Sequence, residues 1–261
     1  MIMPIIFFVL GLLLGSSIYA FAWHFHEHKD WLKGRSECDY CHHVLSPVDL
    51  VPVFSWLVLG GKCRYCHKSL SWQYPLVELA TASLFSLSYI FWPFLFHGLG
   101  LFQFICWLIL LTGFMILVVY DLRWYTLPDK IVFPLTTISF IQLIVVSLMS
   151  SDLGHFVEGL IGAIVIAGTF YVLFQLSAGK WIGGGDVKLA ICLGLIAGSP
   201  LHAVLLIFIA SLVGTIIAIP LLLRRRTINI QIPFGPLLIL ATIIVFFAGS
   251  DLISWYSRLI T

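Results

Sequence analysis

Residues 101–120 read LFQFICWLILLTGFMILVVY, a run of 20 residues without a charged side chain, and Asp121 follows directly. About 20 apolar residues are enough for a helix to cross a bilayer. Seven further apolar segments occur along the chain, at 2–22, 76–96, 131–149, 156–176, 187–198, 202–223 and 234–255. The pattern predicts an all-α, polytopic membrane protein with about eight transmembrane helices. Segment 187–198 is short for a full span, so seven spans and a re-entrant piece remain the alternative.

The composition also indicates lipid as the solvent. Hydrophobic residues make up 61% of the chain and charged residues 10%, whereas a soluble domain carries about 25% charged residues. We therefore expect the lipid bilayer as a partner, and no nucleic acid. The first segment lacks the basic residues and the cleavage site of a signal peptide, so it is predicted to be a retained membrane helix.

The placement of Lys and Arg predicts the orientation, because basic residues concentrate in cytoplasmic loops. With eight spans and the N-terminus outside, loops 23–74, 121–130, 177–188 and 224–232 are cytoplasmic. They hold 13 of the 14 basic residues, namely Lys29, Lys33, Arg35, Lys62, Arg64, Lys68, Arg123, Lys130, Lys180, Lys188, Arg224, Arg225 and Arg226. Only Arg258 lies on the other side. We therefore expect a multi-pass protein of the plasma membrane in this orientation.

Four of the six cysteines form two pairs, Cys38-x2-Cys41 and Cys63-x2-Cys66, separated by 21 residues in the one long polar segment. Two such pairs can direct four thiolates at one zinc ion. The rival interpretation is a membrane thiol-disulfide oxidoreductase. The predicted cytoplasmic location favours zinc, because thiols stay reduced there. A site closed by four thiolates has no open coordination position, so the zinc is expected to be structural.

The sequence gives weaker evidence for metal binding by the nearby histidines and by the two remaining cysteines. Three histidines flank the cysteine pairs and could replace a cysteine, although four thiolates suffice: His42, His43 and His67. Cys106 and Cys192 lie in apolar segments and are expected to be small packing residues.

Two aspartates are the candidates for catalysis. Asp121 ends one apolar run and Asp186 opens another, and the predicted topology places both at the cytoplasmic face. An ionisable group at membrane depth is energetically costly and indicates function. The plainer interpretation is that each aspartate caps a helix or lies among headgroups. Two carboxylates on one face nevertheless suit aspartyl proteolysis, in which one is protonated and the other accepts a proton from water.

Neighbouring residues are expected to support the pair. Gly183, Gly184 and Gly185 precede Asp186 and are expected to form a loop that lets a substrate backbone come close. Asp129 follows Leu-Pro and precedes an apolar run, which suits an N-cap. Glu78 is a third acid at membrane depth and could orient the site or pair with a base.

The chain resembles the type IV prepilin peptidases, the bacterial branch of the Gly-x-Gly-Asp membrane aspartyl proteases. The signature itself matches residues 183–186. The other matching motifs follow the family's order: Cys38-x2-Cys41, Gly61-x-Cys63-x2-Cys66, Tyr74-Pro75-Leu-Val-Glu78, Asp121 six residues before Leu127-Pro128-Asp129, and Pro233-Phe234-Gly235-Pro236. The resemblance implies catalysis by Asp121 and Asp186, and it separates Asp121 from Asp129. It also implies a first helix at 1–22, a zinc-binding domain at 23–75 and a peptidase core at 76–261.

The resemblance further implies a substrate. It would be a type IV prepilin or pseudopilin precursor, cut after a Gly at the cytoplasmic face. Tyr19 and His24 stand where methylating members of the family carry Asn and Arg. In this respect the chain is similar to the competence-type members of Gram-positive bacteria. N-methylation with S-adenosylmethionine as cofactor therefore stays open.

Overall fold

The computed structural model describes residues 2–27, 37–38, 40–41, 43–225 and 232–260. Lys29, Lys33, Arg35, His42 and Arg226 lie outside the described residues. Within these ranges the chain is helical, with a 3-10 helix at Pro47–Leu50 and two isolated β-bridges. The α-helices are α1 Ile2–His26, α2 Phe54–Val58, α3 Gln73–Ile90, α4 Gly98–Trp124, α5 Asp129–Ser150, α6 Leu153–Ser177, α7 Gly184–Ala197, α8 Pro200–Arg225 and α9 Gly235–Ile260.

Each of the eight predicted apolar segments corresponds to a helix, with segment 76–96 helical only as far as Ile90. This confirms the all-α, polytopic class. By length and composition, six of the described helices could cross a membrane: α1, α4, α5, α6, α8 and α9. Helices α3 and α7 are not among these six. The predicted count of about eight spans is therefore not confirmed.

The chain divides into two compact units. The first comprises Met1–Trp92 and Leu111–Val119, and the second comprises Pro93–Leu110 and Tyr120–Thr261. In the first unit, α1 packs along α3. Gly11 and Gly15 make this possible, because a Cβ atom at either glycine would lie 2.6 or 2.7 Å from a backbone Cα atom of α3. The sequence thus uses small residues where two helices pack closely.

In the second unit, the short helix α7 packs against α5, α6, α8 and α9. Its closest neighbour is α6, where a Cβ atom at Gly194 would collide with the backbone of Ala163. The α7 side chains Leu189, Cys192 and Leu193 are completely buried. An apolar run of 10–14 residues is more often a buried core helix than a membrane span. Helix α7 fits that description, and its first turn carries Asp186.

Candidate active site and metal centre

Asp121 lies in the last turn of α4 and is buried, with 6% of its surface exposed. The helix ends just beyond it, because Tyr125 adopts a left-handed conformation and donates its backbone N–H to the Asp121 carbonyl. The chain then turns through Leu127 and Pro128 into α5. The site therefore places a buried carboxylate at the point where a membrane helix ends.

Gly235, the first residue of α9, holds this carboxylate in place. Its backbone N–H donates a 3.0 Å hydrogen bond to Oδ2 of Asp121. The first N–H groups of a helix have no partner within the helix, and the helix dipole favours negative charge there. A Cβ atom at Gly235 would lie 2.7 Å from the same Oδ2 atom, so only glycine allows this approach.

Asp186 is the third residue of α7 and is partly buried. Its Oδ2 accepts a 3.3 Å hydrogen bond from the backbone N–H of Gly183, the N-cap residue. Gly184 and Gly185 form the first helical turn. The three glycines are thus the start of a helix, and the expectation that they form a loop is corrected. The cause is the Asp186 carboxylate, which reaches back and caps this end of α7.

The structure brings the two aspartates together. The Asp121 carboxylate acts on that of Asp186 through Coulombic repulsion. Leu127 lies between the segments that hold them: a Cβ atom at Gly185 would lie 3.0 Å from Cβ of Leu127, and one at Gly235 would lie 3.4 Å from Cδ2 of Leu127. Among the described residues, no donor reaches the second oxygen of either carboxylate. One oxygen of each acid is therefore available for a water molecule or a substrate.

Such a pair can perform acid–base chemistry. Two carboxylates that repel each other do not readily ionise together, so such a pair can share one proton. The protonated acid can polarise a carbonyl group, while the ionised one accepts a proton from water. The arrangement is suited to hydrolysis without a covalent intermediate.

Asp129 has a different role from the predicted one. The N-cap of α5 is Pro128, and Asp129 is the first helical residue. Instead, each of its two carboxylate oxygens accepts a hydrogen bond from Nζ of Lys188 on α7, at 2.8 Å for Oδ1 and 2.7 Å for Oδ2. The N-cap prediction is wrong because the side chain turns towards a neighbouring helix. This ion pair is about half exposed and links the first turns of α5 and α7.

Glu78 belongs to the first unit. It is buried, and its Oε2 accepts a 2.6 Å hydrogen bond from the backbone N–H of Val53. The Ser16 side chain donates to the same carboxylate. No described base forms an ion pair with Glu78. Val53 has a φ of 61°, which is unusual for a β-branched residue, so Glu78 holds the start of α2 in a strained conformation.

The four predicted metal ligands come together in the first unit. Their sulfur atoms all lie within 4.8 Å of one another. The two pairs share one backbone pattern: the N–H of Cys38 donates to the carbonyl of His43, and that of Cys63 to the carbonyl of Lys68. Isolated antiparallel bridges close both turns, Glu37 with Val44 and Lys62 with Ser69. The cluster could therefore hold one metal ion.

Electrostatics around the cluster favour thiolates and a rigid frame. Burial raises the pKa of Cys63, but hydrogen bonds from the backbone of Cys66 and Tyr65 and from neighbouring thiols lower that pKa to about 7. Burial also raises the pKa of Asp49, but hydrogen bonds from Ser46 and Arg64 outweigh it and lower that pKa. The Arg64 bond is 2.7 Å long, so it ties the 3-10 helix to the second cysteine pair.

The remaining predicted ligands stay outside the cluster. His43 packs its ring on Tyr65, at 3.7 Å between ring centroids, and neither it nor His67 belongs to the metal-binding group. Cys106 and Cys192 are buried. Cys192 contacts the hydroxyl of Ser139 at 3.3 Å, which agrees with a packing role.

The first unit also contains a cavity beside the cysteine cluster. Its lining includes Tyr19, His24 and Trp56, together with Cys38 and Cys63. The rings of Tyr19 and Tyr74 are 3.9 Å apart at one side of it. The indole Nε1 of Trp56 is buried without a described hydrogen-bond partner. Such an atom marks a place where a ligand or a water molecule can bind.

Sequence reasoning assigned no function to three residues that shape these sites. The sequence marked Gly235 only as part of a Pro-Phe-Gly-Pro motif and Leu127 only as part of a Leu-Pro-Asp motif, without indicating a contact with either aspartate. Asp49 carried no signal, because an acid in a polar loop is common. Their roles depend on contacts between distant segments.

Comparisons with known proteins give the family. Residues 9–92 match the bacterial peptidase A24 N-terminal domain, and residues 104–219 match the type IV leader peptidase family. A protein of Bacillus subtilis (strain 168) named prepilin leader peptidase/N-methyltransferase is 30% identical over 97% of this chain and 98% of its own length. This multi-pass membrane protein belongs to the type IV leader peptidase family.

Two further relatives carry the same name. The protein of Xanthomonas campestris pv. campestris is 35% identical over 80% of this chain and 70% of its own length. That of Pseudomonas aeruginosa is 34% identical over 85% of this chain and 74% of its own length. No solved structure is significantly similar to the chain.

Proposed function

We propose that the chain is a membrane-embedded aspartic endopeptidase that removes the leader peptide from type IV prepilin or pseudopilin precursors. The observation that carries the proposal is the pair formed by Asp121 and Asp186, two acids that interact while each keeps one oxygen without a described partner. The relatives' name, prepilin leader peptidase/N-methyltransferase, supports the substrate class.

In this mechanism the substrate's scissile carbonyl lies between the two carboxylates. The protonated acid donates a hydrogen bond to the carbonyl oxygen, and the ionised acid accepts a proton from the attacking water. The proton shared by the pair then passes to the leaving amine. The N–H groups of Gly183 and Gly235 keep both acids oriented during these transfers. The glycines at the start of α7 leave room for the substrate backbone.

The positions of Lys and Arg support an active site at the cytoplasmic face of the plasma membrane, with the N-terminus outside. The same orientation keeps the cysteine cluster reduced. Its four convergent thiols suit zinc, and we assign that ion a structural role in the domain at 23–75. Hydrolysis would then belong to the core at 76–261. These residues fit zinc in ligand type and in spacing, because their four sulfur atoms lie within 4.8 Å of one another.

Cleavage by the reconstituted protein tests the proposal. The substrate is a synthetic precursor with a short basic leader, a Gly and an apolar helix, embedded in vesicles. Mass spectrometry should find one cut, after the Gly, and a precursor with Ala in place of that Gly should be cut more slowly. Intact precursor after prolonged incubation with correctly inserted protein would contradict the assignment.

Methyl transfer to the new N-terminus is a second candidate function. The observation in its favour is the cavity of the first unit, because the two positions at which methylating members carry Asn and Arg both line it. In this chain those positions hold Tyr19 and His24. Tyr74, Trp56 and Glu78 would be the groups that hold S-adenosylmethionine, which supplies an electrophilic methyl group when bound. Transfer of a labelled methyl group to cleaved product tests this activity. Binding of the methyl donor, measured by calorimetry, tests the cavity separately from catalysis.

A further inference from the structure

Helix α2 has apolar side chains on both of its faces. Ser55, Trp56 and Leu59 line the cavity of the first unit. Phe54, Leu57 and Val58 point away from it and are 66%, 61% and 64% exposed. Positions 54, 57 and 58 are spaced i, i+3 and i+4, so they share one side of the helix. A helix that is apolar all round needs a second apolar environment for its outer face.

The exposed surface extends beyond α2. Val48 and Val51, just before the helix, are 65% and 42% exposed. Trp72, at the start of α3, is 73% exposed, and its ring packs on that of Trp56 at 4.1 Å between centroids. Large contiguous apolar patches on a protein surface mark protein or membrane contacts.

This surface continues along an exposed apolar face of α3. Trp72 is the N-cap residue of that helix. Leu76, Leu79, Leu87 and Ile90 follow it along one helical face and are 44% to 64% exposed. In a membrane protein, such an exposed apolar stripe is covered by lipid. The Trp56–Trp72 contact therefore joins α2 to the bilayer-facing surface at the level where tryptophan is enriched, the membrane–water interface.

We propose that α2 lies in the headgroup layer of the membrane, with Phe54, Leu57 and Val58 against the acyl chains. Lys62 follows the helix, is exposed and forms no ion pair with a described residue, which suits anionic headgroups. The opposite face of α2 then separates the lipid from the cavity beside the cysteine cluster. This placement rests on contacts within the first unit and does not depend on the proposed peptidase activity.

Site-specific photocrosslinking tests the placement. The full-length protein, with Leu57 replaced by benzoylphenylalanine, is reconstituted in vesicles of phosphatidylglycerol and phosphatidylethanolamine and irradiated. We expect adducts with the mass of one phospholipid. The matched control carries the same photoreactive residue at Lys68, an exposed polar position in the same domain. Its phospholipid yield should be about tenfold lower, because a polar interfacial surface stays out of the acyl region.

The competing occupants give different products. A crosslink from position 57 to a second copy of the chain, or to an added precursor in place of lipid, would overturn the proposal. Equal phospholipid yields at positions 57 and 68 would also overturn it. Melting temperatures of both variants within a few degrees of the parent protein establish that each is folded. Leu57→Asn gives an independent measurement: removing the apolar contact should lower the melting temperature in vesicles more than in detergent.

Discussion

Gly235 donates its backbone N–H to the carboxylate of Asp121 at 3.0 Å, across 114 positions of the sequence. The bond joins the end of α4 to the beginning of α9. The N–H groups at the start of a helix lack partners within the helix, and a buried carboxylate accepts one of them here. The orientation of Asp121 therefore depends on a segment far from it in the chain.

Replacing either aspartate by asparagine should abolish precursor cleavage. Asp121→Asn and Asp186→Asn each keep the shape of the side chain and remove the carboxylate that takes or gives a proton. General acid–base catalysis contributes about 10²- to 10⁴-fold, so we expect a loss of at least that order in the cleavage rate. The rate is measured by gel shift of the precursor in vesicles.

Asp129→Asn is the matched control for these variants. It removes the half-exposed ion pair with Lys188, which is worth at most about 1 kcal/mol of stability. Cleavage should stay close to that of the parent protein. Loss of activity in Asp129→Asn, with full activity in Asp121→Asn, would show that Asp129 and not Asp121 is the catalytic acid.

Gly235→Ala should impair catalysis although it leaves both carboxylates in place. The added Cβ atom would lie 2.7 Å from Oδ2 of Asp121, so the carboxylate must move. A displacement of about 1 Å in a catalytic group can cost about 10²-fold in rate. The measurement is kcat at saturating precursor.

Gly168→Ala provides the comparison, since nothing lies within 4 Å of its added Cβ atom. It should keep full activity and gain about 0.5–1 kcal/mol of stability, because alanine is preferred over glycine inside a helix. Equal activity losses in the two variants would show that the effect of Gly235→Ala is not specific to the site.

The eight apolar segments could be located from the sequence because helices buried in lipid or in a protein core are runs of predominantly apolar residues. The paired Cys-x2-Cys spacing likewise predicted the ligand cluster. Gly235 and Leu127 could not be assigned, because their effect on the aspartates depends on helix packing that periodicity does not encode. The role of Asp129 was missed for the same reason: its partner, Lys188, is 59 residues away.

Metal binding should depend on the cysteine cluster and on pH. Cys38→Ser and Cys63→Ser should each lose most of the bound zinc, measured by elemental analysis of the purified protein, whereas Cys106→Ala should retain it. Zinc binds thiolates, so its affinity falls when a ligand must first lose a proton. With a pKa of about 7, Cys63 is ionised above that pH and protonated below it.

The affinity of the metal-free protein for zinc should therefore decrease as the pH falls through 7. Competition with a chromophoric chelator between about pH 6 and pH 8 measures this decrease. Zinc content that is unchanged in both Cys→Ser variants would contradict the assignment of the cluster.

Val53→Gly should stabilise the first unit. Val53 has a φ of 61°, and a non-glycine residue in such a region costs about 1–3 kcal/mol. Glycine accepts the conformation without strain, and its backbone N–H can still donate to Glu78. We expect a gain of about 1 kcal/mol after the entropic cost of glycine, measured as a rise in melting temperature. Glu78→Ala, which leaves the buried N–H without its partner, should lower the melting temperature.

Leu127 packs beside Gly185, which directly precedes Asp186, and beside Gly235, whose backbone N–H binds Asp121. This single side chain therefore lies against the two backbone positions on which the placement of both acids depends. We expect a shorter or longer residue at this position to shift the two acids relative to each other while leaving the proton-transfer groups themselves intact. Variation at position 127 thus offers a route by which the range of accepted precursors could diverge under selection without rebuilding the catalytic pair.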